Sequence, residues 1–305
     1  MKIFKPTFEL RNLLTFSVVF SLVSTVKSFV VPDNMNLIDL SYNLNNNTLH
    51  WITTRPFEMN IVFNGSKLLN QHSVWYQSED VTFNSHTGTH LDAPCHFAYG
   101  AWCVTDIPIE HLIDRPAFVV DVTKSCARNK DYEVTIEDIT QFEGVHGKIR
   151  DGSVLFIKTG QSRFWPIKEQ YFGSESNDPT QLHFPGVHSS TARWLTQNRK
   201  IVGLGIEGPS VDAGQSLTKE THTILAEKNI FNIENVPSLY KMPPTGSTVS
   251  ILPLKVEKAS AAPVRVIANL SPDSFRSSSL PSSCSVDVHL LVLILSSLFS
   301  CYLSN

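Results

Sequence analysis

Residues 84–97 read Asn-Ser-His-Thr-Gly-Thr-His-Leu-Asp-Ala-Pro-Cys-His-Phe. Three of the chain's eleven histidines, His86, His90 and His96, fall within eleven positions of this run, with Asp92 among them. Gly88, Pro94 and the β-branched Thr87 and Thr89 oppose a helix here. In extended backbone the side chains alternate, so His86, His90 and Asp92 share one face; on a helix Asp92 would point about 160° away from His90. Two imidazoles and a carboxylate gathered at one point are a donor set for a divalent metal. Pro94 interrupts the strand and releases His96 from its register for another task. A lone His-x-x-x-His would favour a bland histidine-rich surface strand. Asp92 in register, with a Gly and a Pro shaping the backbone, reverses that balance.

The remainder of the 305-residue chain has to supply a scaffold for such a strand, and its composition allows one. Apolar residues make up 42% and charged residues 17%, enough for a buried core. The net charge of −3 gives no pull toward nucleic acid. Short β-branched runs recur at residues 118–122, 153–159, 200–206, 230–236, 248–256 and 263–270. Most are continuous apolar stretches or only partly alternate, which predicts strands covered on both faces. Helical patterns fall between them: residues 135–142, with Thr135 as a cap and Asp138 three positions on, and residues 190–197, beginning with a serine. The last three runs follow one another through short turns. The expected class is mixed α/β, a single domain over residues 29–270 with sheet strands and packed helices.

The two ends of the chain read differently. Lys2, Lys5 and Arg11 precede an apolar stretch at 13–26, and Val26 and Ser28 are small enough for cleavage before Phe29, so residues 1–28 are expected to be a secretory signal peptide. An uncleaved membrane anchor is the other reading. Residues 271–305 carry small residues at Ser277, Ser278 and Ser279, a polar spacer at 280–289 and an apolar tail at 290–303. That layout matches a glycosylphosphatidylinositol attachment signal, for which Ser282 or Ser283 would serve equally well. The expected location is the extracellular face of the plasma membrane, through a lipid anchor, or secretion. Sequons at Asn46, Asn64 and Asn269 agree with it. Outside the tail, Cys95, Cys103 and Cys126 remain. They allow at most one internal bridge, and without a Cys-x-x-Cys pair they give no zinc ribbon.

The run from His86 to Phe97 resembles the signature of the cyclase-type metal-dependent hydrolases, which include bacterial kynurenine formamidases and isatin hydrolases. That pattern reads His-x-Gly-Thr-His-x-Asp-x-Pro-x-His, and every specified position is present. Asp39-Leu40-Ser41 is similar to the family's opening strand. His183-Phe184-Pro185-Gly186 and Ala192-Arg193-Trp194-Leu195 are similar to its central portion. Leu252-Pro253-Leu254-Lys255 and Pro263-Val264-Arg265 are similar to its closing strands. The resemblance implies the family's swivelling β/β/α-type fold over nearly the whole mature chain.

Carried over residue by residue, the resemblance makes His86, His90 and Asp92 ligands of one divalent ion. Asp92 would bridge to a second ion held by His222, on an expected helix at 219–228, and by Glu234 on the following strand. Either zinc or manganese suits this set. His96 matches the family's catalytic proton shuttle. Glu207, Ser210 and Asp212 fall where outer hydrogen bonds are made, and Glu207 departs from the aspartate usual there. Phe97, Tyr99, Trp102 and the upstream Trp75, with His183 of the central portion, are candidates to wall a substrate pocket; ordinary core packing is an equally good reading of any one of them.

The implied reaction is hydrolysis of a small aryl formamide of the N-formylkynurenine type, by metal-bound hydroxide, to the amine and formate. Opening of a cyclic amide or lactone is the alternative within the class, and a catalytically silent cell-surface binding protein the alternative outside it. The partner is a small molecule. A homo-oligomer is implied by the family, although no segment of the sequence marks an interface.

Overall fold

A computed structural model describes residues 36–271. The expected signal peptide, the attachment serines Ser277, Ser278 and Ser279, and the apolar tail lie outside the described residues. In chain order the strands are β1 (Asn36–Asp39), β2 (Glu58–Leu69), β3 (His72–Thr82), β4 (His90–Asp92), β5 (Arg115–Asp121), β6 (Glu133–Val134), β7 (Val154–Lys158), β8 (Gly186–Val187), β9 (Gly203–Ile206), β10 (Phe231–Glu234), β11 (Ser247–Pro253) and β12 (Ala261–Leu270). The helices are α1 (Thr123–Arg128), α2 (Ile136–His146), α3 (Lys168–Phe172), α4 (Ser189–Asn198) and α5 (Glu220–Ala226).

The principal sheet runs β1-β12-β11-β5-β7-β9-β10-β4, and β4 pairs back onto β12, so seven strands close into a barrel-like ring. The middle of the sheet, β5-β7-β9-β10, is parallel. The closure is antiparallel: one edge of β12 is shared between β1, opposite residues 267–270, and β4, opposite residues 261–263. A single long strand thereby bonds two short ones that lie far apart in the sequence.

Side-chain alternation explains why the parallel strands read as unbroken apolar runs. Ala117, Val119, Val154 and Phe156 pack into one core with Leu91, Ile233, Ile251 and Val266, inside the ring. Their neighbours Phe118, Val120, Leu155 and Ile157 join a second core with Ile139, Leu195 and Leu225 from the helices outside. Burying both faces favours apolar residues at successive positions, and the exceptions, Asn232 and Glu234 of β10, fall beside β4. β12 differs from that expectation. Arg265 and Asn269 are exposed between buried Val264, Val266, Ala268 and Leu270, so one face of β12 meets solvent.

The helical expectations hold with small shifts. Thr135 caps α2: its hydroxyl accepts from the Asp138 amide at 3.2 Å, and the Asp138 carboxylate accepts from the Thr135 amide at 2.8 Å. α4 is capped instead by His188, whose Nδ1 accepts from the Ser190 amide at 3.1 Å. The hairpin β2–β3 lies outside the ring as a separate two-stranded sheet with Met59, Ile61, Leu68 and Trp75 exposed. Cys95 and Cys103 form a disulfide and Cys126 is free, in keeping with one bridge and one thiol left over.

Candidate metal centre

The run at 84–97 is not one continuous strand. Gly88 adopts φ +62°, and a Cβ there would lie 2.7 Å from the Leu44 side chain, so only glycine makes this turn. His86 therefore arrives from a turn, while His90 and Asp92 sit on the three residues of β4. The expectation of a shared strand face is corrected for His86; the turn, rather than alternation, brings it to the same point.

β4 is inserted between β10 and β12, and its register with β10 sets Glu234 opposite His90. Helix α5 delivers His222 from the side. The five predicted ligands converge. His86 Nδ1 lies 2.8 Å from Asp92 Oδ1, and His90 Nε2 lies 3.2 Å from the same oxygen and 3.4 Å from Glu234 Oε2. His222 Nε2 lies 3.4 Å from Asp92 Oδ2 and 3.0 Å from Glu234 Oε1. Asp92 thus stands between the two halves of the cluster.

Outer contacts orient the rings. His90 Nδ1 faces the Gly88 carbonyl at 3.0 Å, and His222 Nδ1 faces Asp212 Oδ2 at 2.5 Å, so both Nε2 atoms point inward. Asp212 also accepts from the amides of Thr221 and His222, which locks the start of α5 to the loop after β9. Asn235 donates to the Gly88 carbonyl at 2.7 Å and accepts from the Tyr171 hydroxyl at 2.8 Å.

Electrostatically the cluster is a buried set of opposite charges. Burial alone would lower the pKa of His90, but the Asp92 and Glu234 carboxylates outweigh it and raise the value to about 10. His222 is likewise raised, by Asp212, Asp92 and Glu234 against the cost of burial. Asp92 and Glu234 resist burial's upward push and are lowered by the histidines. His90 Nε2 and Asp92 Oδ1 are buried, and their only close polar contacts are the ion pairs within the cluster, none of which has hydrogen-bond geometry. Two buried donor atoms that face one another across a mixed imidazole–carboxylate set without a well-formed hydrogen bond fit a divalent ion that bonds both. Two overlapping triads have donor atoms within 4.8 Å of one another, His90–Asp92–Glu234 and His86–Asp92–His96.

A cavity of about 260 Å³ opens onto this cluster, walled by Leu49, Trp51, Phe97 and Phe172. His96 stands at its side, its ring 4.3 Å from that of His86 and 4.4 Å from that of Phe97. Packing of that face and the adjacent imidazoles hold its pKa below that of a free histidine.

Of the pocket residues expected from sequence, Phe97 lines the cavity and four do not. Trp75 is on the exposed face of β3, and Tyr99 is fully solvent-exposed. Trp102 packs against the inner core and His111. His183 turns away to pair with Asp131 at 2.8 Å. Among the outer residues, Ser210 and Asp212 are at the site. Glu207 instead holds the 159–162 turn, accepting from the Ser162 hydroxyl at 2.7 Å and from the Gly160 amide. Trp51, Phe172, Lys219 and Asn235 were not legible as site residues. Only Asn235, next to Glu234, carried a positional signal.

The family profile described as "Putative cyclase" matches residues 38–213, which include the whole 84–97 run and stop short of His222 and Glu234. The chain belongs to this cyclase family. It is 28% identical over 196 residues to an isatin hydrolase of Roseibium aggregatum, covering 62% of this chain and 73% of that protein. It is 27% identical over 239 residues to a kynurenine formamidase of Salinibacter ruber, covering 78% of this chain and all of that protein. Among solved structures, isatin hydrolase A of Labrenzia aggregata, bound to benzyl benzoate, superposes with a TM-score of 0.69 at 26% identity. That match spans 83% of this chain and 99% of the other, a larger share of the chain than the profile covers.

Proposed function

We propose that this cyclase-family protein is a metal-dependent amidohydrolase acting on a small aryl formamide of the N-formylkynurenine type, releasing the amine and formate. The observation that carries the reading is the convergence of His90 Nε2 and Asp92 Oδ1, buried without a well-formed hydrogen bond, on the floor of an aromatic-walled cavity with His96 alongside. The kynurenine formamidase relative, alignable over its whole length, supports the substrate class.

His86, His90, Asp92, His222 and Glu234 would hold two divalent ions, zinc or manganese. When bound, such an ion lowers the pKa of water toward neutrality and polarises an acyl oxygen. The chain's own part is positional and acid–base. Asp92 and Glu234 are ionised at neutral pH, and the Gly88 carbonyl and Asp212 fix which nitrogen of His90 and His222 faces the cavity. His96 is neutral at pH 7, so it can take a proton on its free ring nitrogen and deliver it to the departing amine nitrogen. Trp51, Phe97 and Phe172 exclude water around an aromatic ring; a cavity of about 260 Å³ is roughly nine waters' share of liquid volume, enough for a one-ring molecule.

A second reading, opening of a cyclic amide, is favoured by the isatin hydrolase relative. The test is one preparation assayed on N-formylkynurenine and on isatin, with metal content measured alongside. Faster hydrolysis of the formamide supports the proposal; faster opening of isatin supports the second reading; metal without turnover of any amide, ester or lactam supports a silent binding protein. His96→Ala should keep its metal and lose on the order of 100-fold in turnover. Loss of metal from that variant would make His96 a ligand, as its place in the second triad would allow.

We also propose a secreted or lipid-anchored location. The Cys95–Cys103 bridge suits an oxidising compartment, and Asn46, Asn64 and Asn269 are all exposed for glycosylation. Release from cells by a phosphatidylinositol-specific phospholipase would support the anchor, and retention after treatment would refute it.

A further inference from the structure

Lys219 lines the same cavity as the metal-centre residues and takes no part in their cluster. Its side chain is half-buried, with Nζ 5.3 Å from the centre of the Trp51 ring. Among the described residues Nζ has neither a hydrogen bond nor an ion pair, whereas Lys158 pairs with Asp121 and Lys168 bonds Asn177. The carboxylates close enough to act on it, Asp212 and Glu234, are engaged by His222 at 2.5 and 3.0 Å. The backbone of Lys219 is also left-handed, at φ +51°, which a side chain of this kind rarely adopts. A half-buried ammonium with no direct ion pair, held over an indole at the edge of the cavity while its nearby carboxylates are engaged by His222, gains from an anion that comes to it.

We infer that Lys219 is a specificity-determining residue that pairs with a carboxylate carried by the substrate, so that the enzyme prefers anionic aryl amides to neutral ones. The inference rests on the proposed hydrolase function for its substrate geometry. The scissile group lies at the His90–Asp92–Glu234 floor, the ring lies between Trp51, Phe97 and Phe172, and the anionic group reaches Nζ.

The experiment has a kinetic arm and a binding arm. In the first, kcat/KM is measured on the metal-loaded protein for 2-formamidobenzoate, an anion, and for formanilide, its neutral counterpart. The expected result is that Lys219→Gln lowers the anion-to-neutral ratio by about 10- to 100-fold, chiefly through KM, and that Lys219→Arg restores most of it. In the second arm, benzoate and benzamide are titrated into metal-free protein by calorimetry, so failure of the hydrolase reading leaves this arm standing. Benzoate should bind the parent and weaken at least about 10-fold in Lys219→Gln, with benzamide affected less. Lys219→Gly, whose backbone is at ease at φ +51°, should show the same anion blindness and separates loss of charge from loss of fold. An unchanged substrate ratio in Lys219→Gln overturns the inference, as does failure of benzoate to bind the parent protein.

Discussion

Asn235 tests whether the hydrogen bonds behind the cluster hold it in shape. Its side chain is buried, donates to the Gly88 carbonyl and accepts from the Tyr171 hydroxyl, and its backbone is left-handed at φ +56°. Replacing it by Gly deletes both hydrogen bonds but suits the backbone. Each former partner keeps another: the Gly88 carbonyl still faces His90 Nδ1, and the Tyr171 hydroxyl still reaches the Glu207 carbonyl. The loss is therefore near the ordinary value of about 1 kcal/mol per bond, roughly 2 kcal/mol in all, without a full desolvation penalty. Asn235→Ala loses the same bonds and must also sit in the left-handed region, at a further cost of about 1 kcal/mol. Ala should thus be the more harmful of the two, the reverse of the usual order. Urea unfolding gives both values. Both variants should also bind metal about 10- to 100-fold more weakly, because His90 loses the brace on the carbonyl that orients it. Equal midpoints for the Gly and Ala variants would refute the backbone argument, and parent-like metal affinity in both would refute the bracing argument.

Glu143 receives two Arg199 hydrogen bonds, one of 2.6 Å from Nε, and one from the Ile149 amide, joining α2 to the end of α4. Burial would raise its pKa, but Arg199 lowers it, so its stabilisation is present above the unfolded value and lost as pH falls through the lower folded one. Glu143→Gln should cost about 1 kcal/mol at pH 7, and the gap from the parent should narrow as pH falls below the ordinary glutamate value, about 4.3, as read from urea midpoints at pH 7 and 3.5. The Cys95–Cys103 bridge closes an eight-residue separation next to His96, so the Cys95→Ala/Cys103→Ala variant should lose roughly 2.5 kcal/mol by chemical denaturation. A Cβ on Gly186 would lie 2.1 Å from the Ala213 amide nitrogen, so Gly186→Ala must push away the segment carrying Asp212. It should weaken metal binding as well as the fold, by about 1–3 kcal/mol in stability, and a metal titration that matches the parent would contradict that route.

Sequence reading recovered the parts of the site that local chemistry announces. His86, His90, Asp92 and His96 are legible because Gly88 and Pro94 mark the backbone around them. The parallel strands β5, β7 and β9 are legible because burial on both faces leaves their central positions apolar, whereas β10 carries the buried polar Asn232 and Glu234. His222 and Glu234 became site candidates only through the spacing of a resembled family, since nothing within residues 219–234 says that β10 will lie beside β4. The pocket walls failed for the same reason. Trp75, Tyr99 and Trp102 are near the motif in sequence, yet the cavity is lined by Trp51 and Phe172, which loops bring in from elsewhere. Proximity along the chain is a poor guide where a short strand is bonded on both edges by strands more than a hundred residues away.

The charge balance of the cluster implies how the protein behaves without metal. Asp92, Asp212 and Glu234 are buried together and would repel one another strongly if nothing offset them. Protonated His90 and His222 supply two compensating charges, which is why their pKa values are raised. A histidine whose folded pKa exceeds its unfolded value contributes stability that is complete below the unfolded value, about 6.5, and is lost as pH rises through the folded one. Metal-free protein should therefore lose stability progressively between about pH 7 and pH 10, the value His90 reaches. Metal binding must expel those protons, so the metal-loaded protein should lack this alkaline loss, and its formation at pH 7 should release protons in proportion to the histidines neutralised. Thermal midpoints across that range with and without a chelator, and calorimetry in buffers of different ionisation enthalpy, measure both. Parallel pH profiles with and without metal, together with no proton release, would mean that the two histidines are already neutral and that another cation balances the three carboxylates.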